Sequence, residues 1–234
     1  MDQEIEFKKG AINPIECYKE AWEFVKPNFG ILFASSVLAM LIGGISFYIL
    51  LGAFLCGVYM MIFQAMDGRK PELDTMFKGM EVLKPSLVVT AIFVVPAFIV
   101  FGLLYLPVIG MAVAGQNMSP DELMAFISGI FVVDVFFALI MVCVHTLLMF
   151  AFPLVADKRM SGWSAIKLSA RASLSNLGGL AGLWTVGFVL SLAGTLVFCI
   201  GTYLVIPIIL AATAVAYRKV FPEIVVQTED RFVG

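Results

Sequence analysis

Two ionisable side chains, Asp134 and His145, lie inside a stretch that is otherwise apolar and long enough to enter a membrane. At about 100° per residue, a separation of eleven positions returns them to nearly the same helix face, about 16 Å apart along the axis. A charge in a membrane core costs on the order of 3 kcal/mol, so such a group faces a bundle interior or a wet cavity and is a functional candidate by default. The chemistry this pair could do is a proton or cation relay down one face. The competing role is structural, with Asp134 wetted near the outer boundary and a neutral His145 hydrogen-bonded to a Ser or Thr of a neighbouring helix. No third ionisable residue continues a path toward the inner side until Asp157.

Covalent and metal chemistry find little support. The sequence has no Gly-rich phosphate loop, no His-Glu-x-x-His helix and no Gly-x-Ser-x-Gly elbow. Cys143 and His145 are two positions apart and point in different directions from a helix. Cys17, Cys56, Cys143 and Cys199 are too dispersed for a disulfide framework or a metal site and read as small packing residues. The chain is expected to be no enzyme and to bind no cofactor and no metal.

The elements that carry Asp134 and His145 follow from composition. Of 234 residues, 61% are hydrophobic and 14% charged, with 15 Lys and Arg against 17 Asp and Glu. Soluble domains carry about 25% charged residues, so this is a membrane protein, and a net charge of −2 excludes nucleic-acid binding by phosphate neutralisation. The basic residues form four clusters: Lys8, Lys9, Lys19, Lys26; Arg69, Lys70, Lys78, Lys84; Lys158, Arg159, Lys167, Arg171; and Arg218, Lys219, Arg231. An apolar stretch of about 40 residues bounded by basic clusters is two crossings, since one takes about 20. The expected fold is therefore all-α: a polytopic membrane protein with six transmembrane helices as three hairpins, in a single transmembrane domain spanning 1–234. The spans fall at about 28–47, 49–66, 86–113, 130–156, 176–195 and 199–219.

Because Lys and Arg are retained on the cytoplasmic side, all four clusters and both termini belong there. The external turns near Gly43 to Gly52, Ala114 to Glu122 and Gly194 to Gly201 contain no basic residue. Residues 1–28 lack the apolar core of a cleavable signal, so the first span is expected to insert the chain itself.

Each hairpin is preceded by an expected amphipathic interfacial helix, at 13–27, 72–84 and 161–175. Asn13-Pro14-Ile15-Glu16 supplies a cap, a Pro at the first helical position and an early acid. Ile15, Tyr18, Trp22, Val25 and Phe29 follow at steps of three and four, and this helix is expected to lie flat on the inner leaflet. Tyr18, Trp22 and later Trp163 suit anchors at the headgroup level. Shifting by 58 positions puts Val25-Lys26-Pro27 on Leu83-Lys84-Pro85, and the stripe reappears as Leu73, Met76, Phe77, Met80 and Leu83. A shift of 90 puts Asp67 on Asp157 and Arg69 on Arg159. Three two-span repeats all enter from one side, so the topology inversion of the commonest transporters cannot arise.

Lipid gives helices no hydrophobic reason to associate, so small residues must let backbones approach. Ser35, Ala39 and Gly43 step by four along the first span, and Gly178 and Gly182 along the fifth. These seams serve packing inside the bundle; a homo-oligomer or another membrane protein is the alternative user. Pro96, Pro107, Pro153 and Pro207 lie in spans, where prolines serve packing through kinks.

The strings Gly52-Ala53-Phe54-Leu55-Cys56-Gly57, Asp67-Gly68-Arg69-Lys70-Pro71 and Met76-Phe77-Lys78-Gly79 resemble a family of uncharacterised prokaryotic six-helix integral membrane proteins. Phe152-Pro153-Leu154-Val155-Ala156-Asp157, with Ala165 and Ser169, is similar to the membrane-anchor domain of glycerophosphodiester phosphodiesterases, without their hydrolase domain. The resemblance implies this fold and a bacterial or archaeal inner membrane, and transfers no catalytic residue. The expected function is non-enzymatic: organising the lipid bilayer or docking a partner at the cytoplasmic leaflet. The alternative is a small transporter or channel with a proton or cation pathway through Asp134 and His145.

Overall fold

The computed structural model describes residues 6–113, 119–197 and 201–222. Among these residues it is all-helical, with no strand. Five helical stretches are long and apolar enough to cross a membrane: Pro14–Ile45, Leu73–Met111, Pro120–Lys158, Leu177–Leu196 and Gly201–Val220. They mark a membrane-embedded, multi-pass protein. Gln116 and Asn117 of the middle external turn, Cys199 and Arg231 lie outside the described residues.

The three expected hairpins differ in length. In the first, α2 (Phe29–Ile45) and α3 (Leu51–Met66) have 17 and 16 residues, about 26 and 24 Å. Neither alone covers a hydrocarbon core of about 30 Å, and α3 is encased by protein, with Ala53, Cys56, Val58, Met61 and Ile62 fully buried. In the second, α5 (Leu83–Val113) and α6 (Pro120–Leu147) have 31 and 28 residues, about 46 and 42 Å. The third pairs α9 (Leu177–Val197) with α10 (Gly201–Val220), 21 and 20 residues. Gly194 and Gly201 meet backbone to backbone at its turn, where neither could carry a Cβ.

The turn joining α2 to α3 is tight and strained. Phe47 and Tyr48 both have positive φ, 49° and 66°, a region that costs a residue with a Cβ about 1–2 kcal/mol. Hydrogen bonds hold it, with Tyr48 N–H donating to Gly43 O at 2.7 Å and Leu50 N–H to Ser46 Oγ at 3.1 Å.

Three expectations are corrected. The fourth span, expected at 130–156, begins ten residues earlier: Ser119 and Glu122 form a reciprocal capping box with Pro120 in the first turn, so the polar stretch starts a helix instead of forming a loop. It also breaks at Leu148–Phe150 before α7 (Ala151–Lys158). Pro153 cannot donate to Met149 but is tolerated in a first turn, which places a new helix start here. Ser169 covers the break, donating to Leu147 O at 2.8 Å and accepting from Phe150 N–H at 3.1 Å.

The expected interfacial helix 72–84 is a five-residue helix, α4 (Leu73–Phe77), followed by a 3-10 turn over Lys78–Val82. It is pressed against α3, with Gly57 facing the Met76 backbone and Gly79 facing Ala53 O.

The first helix, α1 (Pro14–Val25), has the expected Asn13 cap, but it does not lie bare on a leaflet. Cys17, Ala21 and Val25 form its fully buried face, and its most extensive contact is with α10. A 3-10 turn, Lys26–Asn28, carries it into α2. Tyr18 donates to Leu183 O on α9 at 3.2 Å, whereas Ile15 and Trp22 of the expected stripe stay exposed. Packing against protein thus takes the small face of α1 and leaves Ile15 and Trp22 at the surface. The third amphipathic helix, α8 (Gly162–Leu174), lies close to its expected bounds.

Packing is graded along the bundle. At the end bearing the Lys/Arg clusters, α1, α3, α4, α7, α8 and the second half of α10 enclose a core that includes Met61, Leu154 and Tyr217. Toward the other end burial thins: the last buried residue on α5 is Thr90, on α9 Gly187, and α6 has none before its end at Leu147. From the packed base α5 and α6 extend as a loosely packed, splayed pair, while α9 and α10 stay together as far as the Gly194–Gly201 contact.

Candidate functional site

Of the two residues that motivated a relay, Asp134 lies well along α6, and His145 lies in its last turn, next to the base. Tyr105 on α5 donates to Asp134 Oδ2 on α6 at 2.7 Å, tying the long hairpin together. His145 lies between aromatic rings, edge to face with Phe93 of α5 at 5.7 Å and with Trp184 of α9 at 4.8 Å. Among the described residues the buried Trp184 Nε1 has no hydrogen-bond acceptor. Both residues therefore face neighbouring helices. Among the described residues no hydrogen bond joins Asp134 to His145, and the contacts are one bonded pair and one aromatic nest. Tyr105, Phe93 and Trp184 escaped sequence reasoning because nothing in an aromatic's spacing announces an interhelical partner.

A second polar assembly lies in the base. Arg218 at the end of α10 sits between Asp157 of α7 and Asp67 at the end of α3, at 3.9 and 4.0 Å. Its guanidinium lies 5.0 Å from the Phe63 ring centre. Tyr217 donates to Asp157 Oδ2 at 2.7 Å, and Lys158 stands 3.2 Å from the same oxygen. Asp157 and Arg218 are 15% and 20% exposed, so this contact is screened less than a surface pair. Asp67 and Asp157, which coincide at a shift of 90, thus converge on one cation. That coincidence was the only sequence signal for the assembly. It ties together the ends of the second helix of each hairpin.

A cleft of about 600 Å³ opens between the α2–α3 turn and α5, lined by Tyr48, Leu51, Phe93, Val94, Ala97, Phe98 and Phe101. Its lining is almost wholly apolar. The first hairpin ends level with this part of α5, which runs on from Phe101 to Val113, a further 12 residues or about 18 Å. Among the described residues no three ligand-type side chains converge in a way that could hold a metal.

Ser35, Ala39 and Gly43 lie on the buried face of α2, and Gly43 meets the Leu51 side chain. On α9, Gly182 meets the Pro14 ring and Gly179 meets Ile12, while Gly178 faces open space. Trp163 is exposed on α8.

No protein family, curated protein or solved structure matches this chain in comparison with known proteins.

Proposed function

We propose that this protein is a non-enzymatic inner-membrane protein of prokaryotic type that organises the lipid around it. Its three hairpins enter from the cytoplasmic side, and the packed base, with the Lys/Arg clusters and both termini, sits at the cytoplasmic leaflet. The observation that carries this reading is the gradient of packing, tight at the base and splayed above it. A gap between apolar helices inside a bilayer fills with acyl chains, because water there has few polar partners. The Tyr48–Phe101 cleft is such a gap, with a volume suited to a chain segment and a lining suited to nothing polar.

The reading is tested at Ala97, an exposed position on the cleft wall. In Ala97→Cys, with the native cysteines replaced, the thiol in liposomes is expected to resist a water-soluble maleimide and to react only after detergent unfolding. Rapid labelling in intact liposomes would overturn the reading and favour a water-filled path past Phe93 toward His145. The bare α6 favours a second role, docking of another membrane protein or a second copy along the long hairpin, since this helix buries no side chain in its own chain.

A further inference from the structure

One exposed surface in the base has a composition that the packing does not explain. Helix α8 buries Gly162, Ala165, Ile166, Ser169, Ala172 and Ser173 against the body of the protein. At about 100° per residue, the opposite face presents Trp163 and Leu174 within about 20° of each other, then Lys167 and Arg171 at about 40° and 80°. Trp163 and Leu174 are each 58% exposed. An outward-facing helix thus has an apolar edge beside a cationic edge.

Among the described residues neither Lys167 nor Arg171 forms an ion pair. No Asp or Glu occurs between Asp157 and Glu223. The nearby acids are already engaged: Glu81 pairs with Arg159 at 2.9 Å, and Asp157 with Lys158 and Arg218. The Lys167 ammonium lies over the Trp163 ring, 5.6 Å from its centre.

The helix is held rigidly in this attitude. Gly162 fits α5 so closely that a Cβ would overlap backbone. Ser169 bonds both sides of the α6–α7 break, and Asn176 just beyond the helix donates to Ala172 O at 2.8 Å and to Lys8 O at 3.1 Å. The surface is therefore presented without ordering cost.

Resting on the membrane-organising role above, we infer that the outer face of α8 is a docking surface for anionic phospholipid headgroups of the cytoplasmic leaflet. Trp163 and Leu174 seat the apolar edge at the acyl boundary, and Lys167 and Arg171 meet the phosphates. Charge complementarity selects this occupant, since a basic face rimmed by Trp without acids is what an anionic interface attracts.

The test uses the full chain in nanodiscs, with Trp22→Phe and Trp184→Phe leaving Trp163 as the reporter. Its fluorescence is quenched by lipids brominated on the chain, either phosphatidylglycerol or phosphatidylcholine. The anionic lipid is expected to quench at about fivefold lower mole fraction, the value of one surface cation, and K167Q/R171Q to bring the two lipids together. Equal quenching by both lipids in the unsubstituted α8 would overturn the headgroup preference while leaving the base at the membrane. Quenching by neither would overturn that placement as well. If the Trp-poor background does not fold, lipids retained by the wild-type chain and by K167Q/R171Q are counted by native mass spectrometry. Equal retention of phosphatidylglycerol by the two then overturns the inference.

Discussion

Gly57 is expected to be among the positions least tolerant of a single added methyl group. A Cβ there would overlap the Met76 carbonyl oxygen and stand 2.7 Å from the Met76 carbonyl carbon and 2.8 Å from its Cα. These are backbone atoms of α4, so no rotamer change relieves the overlap and α3 and α4 must part by roughly 1 Å. Overpacking costs about 1–3 kcal/mol, and a backbone clash belongs at the top of that range. Alanine recovers up to about 1 kcal/mol of helix propensity, which leaves a net loss of about 2 kcal/mol. For a chain of this size that is about 4–8 °C in Tm. The separation also strains the hydrogen bond from Gln64 to Thr75 Oγ1, now 3.0 Å. The control is Gly129 within α6, which meets nothing within 4 Å. Thermal unfolding of both alanine variants in one mild detergent, followed by far-UV circular dichroism, should lower Tm for Gly57→Ala and leave it unchanged or raised for Gly129→Ala. Equal Tm values, or the reverse order, would refute the backbone contact on which this rests.

Other substitutions probe the remaining joints. Ser169→Ala removes both partners of the α6–α7 break and, at about 1–3 kcal/mol for each of two stranded groups, should cost about 2–6 kcal/mol by denaturant titration; a neutral result would mean that the break is satisfied otherwise. Asn176→Ala frees Lys8 O and Ala11 N–H, so amide hydrogen exchange over residues 6–12 should quicken many-fold while α3 stays protected. Tyr217→Phe withdraws a donor from Asp157 and should cost about 1.5–3 kcal/mol, the worth of a hydrogen bond to a charged group. Tyr105→Phe should cost less, about 0.6 kcal/mol and at most about 1.7, as interhelical hydrogen bonds in membranes do; a large loss there would point to a role for Asp134 beyond tying the hairpin.

Much of the scaffold was legible because charge and apolar length are local properties. The clusters marked the ends of the long apolar stretches, and Asn13-Pro14 marked the start of α1 within a residue. The start of α6 was legible in principle, since Ser119 and Glu122 have capping-box spacing, but the polarity of the segment read as a turn. What periodicity could not supply was the choice of surface. Of the Ile15–Phe29 stripe Val25 is fully buried, but it is joined by the smaller Cys17 and Ala21 while Ile15 and Trp22 stay exposed, because close approach to α10 rewards small side chains over large ones. The unequal hairpins escaped for a related reason: α3 is apolar enough for a span but shorter, and only its enclosure by α4, α7 and α10 shows that protein surrounds it. At the candidate site, Asp134 and His145 were found by charge alone, and their partners came from the fold.

The central claim is that lipid, not water, occupies the space between the splayed helices above the base. Nitroxides placed singly at Val95, Phe98 and Leu103 of α5, and at Lys78 in the base, test it by electron paramagnetic resonance in liposomes. The account expects frequent collision with oxygen and little with an aqueous nickel chelate at the three α5 positions, and the reverse at Lys78. Nickel access at Val95 and Phe98 would contradict it.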